Sequence, residues 1–266
     1  MQLNHLLETE NINEKPLDNL TVNGGYTAIF RRIGVVGDSL SSGEFESTDK
    51  NGNKCYHDFF DYSWGQQLAR MCSSECTNFS RGGMTAKEYC ESFADNMRFW
   101  DSSLACQCYI IALGVNDIHN INQDIGSIDD IKEDCFSNAD SFIGYYAQII
   151  QRLKKIQPRA KFFLMTMPRE DSRRNEEKSL AHRKAIFDIA EHFDNTYVLD
   201  IYQYGPAYND EFKKKFFLGG HMNPMGYVFT AHMTASYIDY IIRHNMSDFA
   251  DVGFIGTELN YSPPCE

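Results

Sequence analysis

The stretch Ile33-Gly34-Val35-Val36-Gly37-Asp38-Ser39-Leu40-Ser41-Ser42-Gly43-Glu44 decides how the rest of the chain is arranged. A β-branched apolar run stops at Gly37, and a serine follows two residues later among further small residues. This is the pattern of a buried strand ending in a tight turn that lifts one hydroxyl above the sheet edge. Ser39, beside the start of a helix, stands where a nucleophile would stand, and a helix N-terminus favours negative charge developing next to it. The same residues suit a phosphate-binding turn or a helix-capping serine, and alone they do not choose between these.

Three further blocks follow in order: Asn78-Phe79-Ser80-Arg81-Gly82-Gly83, Gly114-Val115-Asn116-Asp117 and Gly220-His221-Met222-Asn223-Pro224. Each comes after a predicted strand or before a predicted helix. With Gly37-Asp38-Ser39-Leu40 in front, this order resembles the SGNH, or GDSL, hydrolase family of esterases and lipases, from about Ile33 to about Tyr240. The resemblance implies an α/β fold, a three-layer α/β/α sandwich whose five-stranded parallel sheet has the flavodoxin-like order 2-1-3-4-5. It also implies ester hydrolysis through an acyl-enzyme, with no cofactor.

Composition agrees with that class without singling it out. The 266 residues suit one large α/β domain, and the apolar fraction is ample for one core. Asp and Glu number 37 against 25 Lys and Arg, which argues against nucleic acid or an anionic membrane surface as a partner. Met1 to Glu10 lack a basic region followed by an apolar stretch, and no apolar run is long enough to span a bilayer. The eight cysteines Cys55, Cys72, Cys76, Cys90, Cys106, Cys108, Cys135 and Cys265 include no C-x-x-C pair. Reduced thiols and a cytoplasmic location are expected. Cys106 and Cys108 are expected to alternate onto one face of a strand.

Along the chain, residues 1–30 read as an N-terminal arm packed on the domain, 31–245 as the hydrolase domain and 246–266 as a tail. Strands are predicted near 32–36, 76–79, 107–113, 160–165 and 196–201. Helices are predicted near 64–72, 86–93, 140–156, 176–193 and 223–244. In the fourth of these, Leu180, Ile186, Phe187, Ala190 and Phe193 are assigned to one side. Asn223-Pro224 is a strong helix start, with Asn at the cap and Pro at the first helical position. Glu44 to Tyr62 reads as an inserted loop carrying Tyr56, Phe59, Phe60 and Tyr62 near the site mouth. Strands alternating with helices predict parallel pairing with right-handed crossovers. No two histidines share ligand spacing with Asp, Glu or Cys, so no metal site is expected.

Acyl transfer needs a nucleophile, a base for its proton and donors for the oxyanion. Ser39 is the candidate nucleophile and His221 the candidate base, its loop lying at a helix N-terminus that disfavours the imidazolium. By the resemblance, the oxyanion donors are the Ser39 N–H, the N–H of a glycine in the second block and the Asn116 side chain. Spacing from Asn78 favours Gly83, with Gly82 the alternative. Removing one such donor typically costs about 10²–10³ in rate.

One departure stands out. The family usually carries an Asp three residues before the His, and Leu218 occupies that position. The group that orients His221 is then either a main-chain carbonyl near Leu218 or a carboxylate from Asp200, Asp210, Glu211 or Glu44. A Ser39–His221 dyad oriented by main chain is the expectation. The expected activity is cleavage of short-chain acyl or carbohydrate acetyl esters, a small-molecule substrate. An acyltransferase or thioesterase using the same residues, and a non-catalytic binding pseudoenzyme, are the rivals.

Overall fold

The computed structural model describes residue 11, residues 13–170 and residues 175–261. The readings of Met1 to Glu10 and of Cys265 lie outside the described residues. In chain order the strands are β1 (Arg32–Gly37), β2 (Glu44–Thr48), β3 (Lys54–Asp58), β4 (Glu75–Ser80), β5 (Cys108–Ala112), β6 (Lys161–Met165), β7 (Thr196–Leu199), β8 (Phe217–Leu218) and β9 (His221–Met222). The principal helices are α1 (Trp64–Cys72), α2 (Phe142–Ile156), α3 (Glu176–His192), α4 (Asp210–Phe216) and α5 (Pro224–His244).

The central sheet is five-stranded and parallel, in the order β4-β1-β5-β6-β7. Counted along the chain within that sheet, this is the expected 2-1-3-4-5. β1 is an interior strand, and its run Ile33 to Gly37 is buried, as a parallel strand between helix layers must be. Ile33, Val35, Cys108, Ile110 and Phe163 pack against α1 and α5. Val36, Tyr109, Ile111, Phe162 and Leu164 pack against α2, α3 and the helical turns of Ala86–Asn96. Each principal helix starts at a polar residue whose side chain accepts from its own first turn: Ser63, Ser141, Asn175, Asn209 and Asn223.

The structure differs from the sequence expectations in several places. Glu44 to Asp58 is an antiparallel hairpin of β2 and β3 rather than a loop, with Glu44 paired to Asp58 and Glu46 to Tyr56. On α3 the buried residues are Ser179, His182, Ala185, Ile186 and Ile189, whereas Leu180 and Phe187 are exposed. The buried stripe sits part of a turn away from the bulkiest residues because His182 packs on Gly114 and bonds the Leu113 carbonyl at 3.1 Å. Cys106 and Cys108 enter opposite layers, since β5 begins only at Cys108 and Cys106 lies in the turn before it. Ile201 leaves β7 and opens a helical turn capped by Asp200. α4 and the two-residue strands β8 and β9 were not foreseen.

Residues before β1 lie along α5. Arg243, 2% exposed, donates to both oxygens of Glu14 at 2.7 Å and to Asp239 at 2.9 Å. The Thr21 and Tyr26 N–H groups donate to Ser236 and Asp239 of the same helix.

Candidate active site

The carboxyl ends of β1, β4 and β5 meet at one edge, where an open parallel sheet places its ligands. Asp38 caps the short helical turn Ser39–Ser42 by accepting from the Leu40 N–H at 3.1 Å. Ser39 is the first residue of that turn, so its own N–H has no intrahelical acceptor. A cleft of about 190 Å³ opens here, lined by Ser39, Asn116, Glu170, Lys213, Gly220 and His221 among others. Ser39, Asn116 and His221, picked from three separate blocks, therefore face one space.

The Gly82-Gly83 pair follows β4 in a turn closed by the Met84 N–H on the Arg81 carbonyl. Gly83 has φ +72 and a Cβ there would meet nothing within 4 Å, so its backbone conformation alone calls for glycine. Gly82 is glycine for a different reason: a Cβ would collide with a Glu44 carboxylate oxygen. Asn116 donates one amide hydrogen to the Met84 carbonyl at 3.0 Å, and its oxygen accepts from Asn120 at 2.6 Å. The carboxamide is thus held in place with its second N–H unspent on those partners.

His221 sits on β9, three residues before the start of α5. The tight ribbon of β8 and β9 pairs Leu218 with His221 across a two-residue turn at Gly219-Gly220, and Gly219 has φ +71. Glu46 on β2 grips this turn by accepting from the Gly220 N–H at 2.8 Å, and it pairs with Lys54 at 2.7 Å. Lys54 and that N–H hold the Glu46 carboxyl below the usual carboxylate range. Leu218, at the position of the family's acid, is 56% exposed and points away from any role in the ring's support.

The ring's support comes from Glu44 instead. Its Oε1 lies 3.0 Å from His221 Nε2, both side chains being largely buried. His221 Nδ1 is buried with no hydrogen-bond partner, so the expected main-chain carbonyl is not there. The reason is the chain reversal at Gly43. It turns β2 back over the sheet edge and carries the first residue of the hairpin between Gly82 and His221. The Tyr227 hydroxyl of α5 fixes Glu44 from behind by donating to its carbonyl at 2.7 Å. The other carboxylates are elsewhere: Asp200 is engaged by Arg183 at 2.5 Å, while Asp210 and Glu211 are exposed on α4.

Burial, together with the nearby Asp58 and Asp38 carboxylates, raises the Glu44 carboxyl to about 7. Burial also pushes the His221 imidazolium below its ordinary range. Near neutral pH the ring is therefore uncharged, and the proton gained or lost there is the Glu44 carboxyl's. An ionised Glu44 accepts the Nε2 hydrogen and leaves a lone pair on the other nitrogen, as a general base requires. A protonated Glu44 donates to Nε2 and puts the ring hydrogen on the wrong nitrogen.

Among the described residues, no group of three or more His, Cys, Asp or Glu side chains is arranged to hold a metal ion. No described helix is long and apolar enough to cross a membrane.

Comparison with known proteins bears on the same residues. Residues 35–229 match the GDSL-like Lipase/Acylhydrolase family. A search of curated proteins returns no match. Among solved structures, a family two carbohydrate esterase from Clostridium thermocellum, in complex with cellohexaose, is similar at 14% identity and TM-score 0.58, over 82% of this chain and 65% of that one. Est24, a carbohydrate acetylesterase from Sinorhizobium meliloti, is similar at 12% identity and TM-score 0.54, over 79% and 99%. A possible lipase from Chitinophaga pinensis is similar at 18% identity and TM-score 0.52, over 81% and 98%. With the family match running from β1 into α5, the chain belongs to the GDSL-like lipase/acylhydrolase family, enzymes that hydrolyse carboxylic esters.

Proposed function

We propose that this enzyme cleaves short-chain acyl or carbohydrate acetyl esters through an acyl-enzyme on Ser39, with His221 as base and Glu44 as its positioning residue. The observation that carries the reading is the Glu44–His221 contact beside Ser39. A buried imidazole with one nitrogen held by a carboxylate is what an unactivated serine hydroxyl needs next to it. Ser39 Oγ attacks the ester carbonyl carbon and its proton passes to the free nitrogen of His221. The Ser39 N–H, the Gly83 N–H and the Asn116 amide receive the charge that forms on the carbonyl oxygen. Collapse expels the alcohol, which takes the proton from His221. Water then attacks the acyl-serine, giving its proton to the same ring, and the acid leaves.

The cleft supports an ester with a polar alcohol. The ion pair of Lys213 and Glu170 lines it, and Tyr56 stands edge-on to His221 with its ring 5.6 Å away and half exposed. An exposed aromatic beside polar groups suits the face of a sugar.

The test is Ser39→Ala. Hydrolysis of p-nitrophenyl acetate should fall to background with the melting temperature nearly unchanged, and a fluorophosphonate probe should label the wild type but not the variant. Retained turnover in the folded variant would remove Ser39 from the reaction. No labelling and no turnover in the wild type would favour a binding protein.

A further inference from the structure

Beside the Ser39 cleft lies a second, partly open cavity, of about 60 Å³, at the carboxyl ends of β1, β5, β6 and β7. Leu40, Val115, Tyr208 and Asp38 are walls of both spaces. The residues that line only the second space are methionine-rich, with Met165, Met167, Met222 and Met233. The threonines there offer nothing to a guest: Thr166 Oγ1 accepts from the Tyr202 N–H at 2.9 Å, and Thr230 Oγ1 donates to the Gly226 carbonyl at 2.9 Å. Asp38 is spent on the Leu40 N–H. The exception is the Ser41 hydroxyl, buried without a partner and pressed against Gly37.

We propose that this cavity receives the acyl chain of the ester, an unbranched apolar chain of about four carbons, an inference that rests on Ser39 being the nucleophile. An ester seated on Ser39 has three substituents to place. Its carbonyl oxygen goes to Gly83 and Asn116. Its alcohol goes toward His221, Lys213 and Glu170, where a departing oxygen meets the proton and polar groups. What remains is the wall formed by Leu40 and Val115, and the apolar cavity is behind it. A space of this size accommodates roughly four to six water-sized groups, which matches a short chain and is too small for a long one. Unbranched thioethers line such a slot well because they adapt to the guest without polar cost.

The experiment compares kcat/KM for p-nitrophenyl acetate, butyrate, hexanoate and octanoate with the full chain. Each buried methylene is worth about fourfold, so butyrate should exceed acetate by about fifteenfold and octanoate should fall back below butyrate. Met233 lines this cavity and not the Ser39 cleft, and Met233→Trp fills it. It should cut butyrate turnover at least tenfold and leave acetate within twofold. Met167→Ala lengthens the slot and should move the optimum to hexanoate, a gain that a misfolded protein cannot show. Fluorophosphonate labelling of Ser39 separates the two levels of the argument. Labelling with a butyrate-to-acetate ratio that neither variant moves overturns the cavity assignment alone. No labelling of the wild type overturns the Ser39 reading and this proposal with it.

Discussion

At the scale of single residues, Glu44 is where sequence and structure part most usefully. That Ser39, Asn116 and His221 line one cleft could be expected from the sequence, because each sits in a short block with its own turn or cap signal. Gly83 could be ranked above Gly82, though the reason for Gly82 was invisible, since it depends on a carboxylate that arrives from another segment. Glu44 stood among the possible acids, yet its selection required knowing that the chain doubles back at Gly43. Glu44→Gln should now cost 10²–10⁴ in kcat/KM, because an amide that donates to Nε2 imposes the wrong tautomer, as an Asp-to-Asn change does in a serine-protease triad at about 10⁴-fold. In the wild type kcat/KM should rise with pH through about 7 as Glu44 ionises. The stability effect has the opposite sign. The fold raises this carboxyl and so prefers it protonated; that contribution is full below the ordinary carboxylate range and is lost as pH rises to about 7. Urea unfolding should therefore find Glu44→Gln gaining on the wild type between pH 4.5 and 8, by on the order of 2 kcal/mol.

At the scale of elements, the decisive piece is the β2–β3 hairpin. It evaded the sequence reading because neither strand is buried, so the alternation that marks a half-buried strand is weak. The signal that would have found it is Asn51-Gly52 between two runs of similar length. Asp49 closes that bend, its carboxylate accepting from the Asn51 and Asn53 N–H groups at 2.8 and 2.9 Å. β8 and β9 were too short to betray themselves by periodicity at all. Because Glu46 ties the hairpin to the His221 turn, Glu46→Ala should lower kcat about tenfold through a looser ring while the melting temperature moves little. Gly219→Ala should be worse than Glu46→Ala. Its Cβ would lie 2.6 Å from Glu46 Cδ in a left-handed backbone that costs about 1–2 kcal/mol for any other residue. Combining it with Glu46→Ala should recover part of the loss, since the collision is gone and only the strain remains. Equal activity in the single and double variants would deny the coupling.

For the molecule as a whole, the layered α/β architecture and the places of its long helices followed from alternation and caps, while the strand order came only through the resemblance. The arm before β1 carried no readable signal, since Glu14 is one acid among many until Arg243 is seen buried against it. Without Glu14 the buried guanidinium keeps Asp239 but loses two charge-assisted hydrogen bonds. Glu14→Ala should therefore lower the unfolding free energy by about 3 kcal/mol at pH 7, without altering kcat for acetate. Arg243 keeps the Glu14 carboxyl below the usual range, so its contribution is present at neutral pH and is lost as pH falls. The gap between wild type and Glu14→Ala should close in acid, the reverse of the Glu44 behaviour, and chemical denaturation across pH measures both.

The crowding of Glu44 against Gly82 also bears on ancestry. A lineage that moved its acid from the loop before the histidine to the turn after the nucleophile had to keep position 82 bare, and released position 218 to drift. Relatives with Glu at 44 should be uniformly glycine at 82 and varied at 218. Those with Asp at 218 should have lost the Glu and tolerate a side chain at 82. Aligned family members in which these three positions vary independently would dissolve that history.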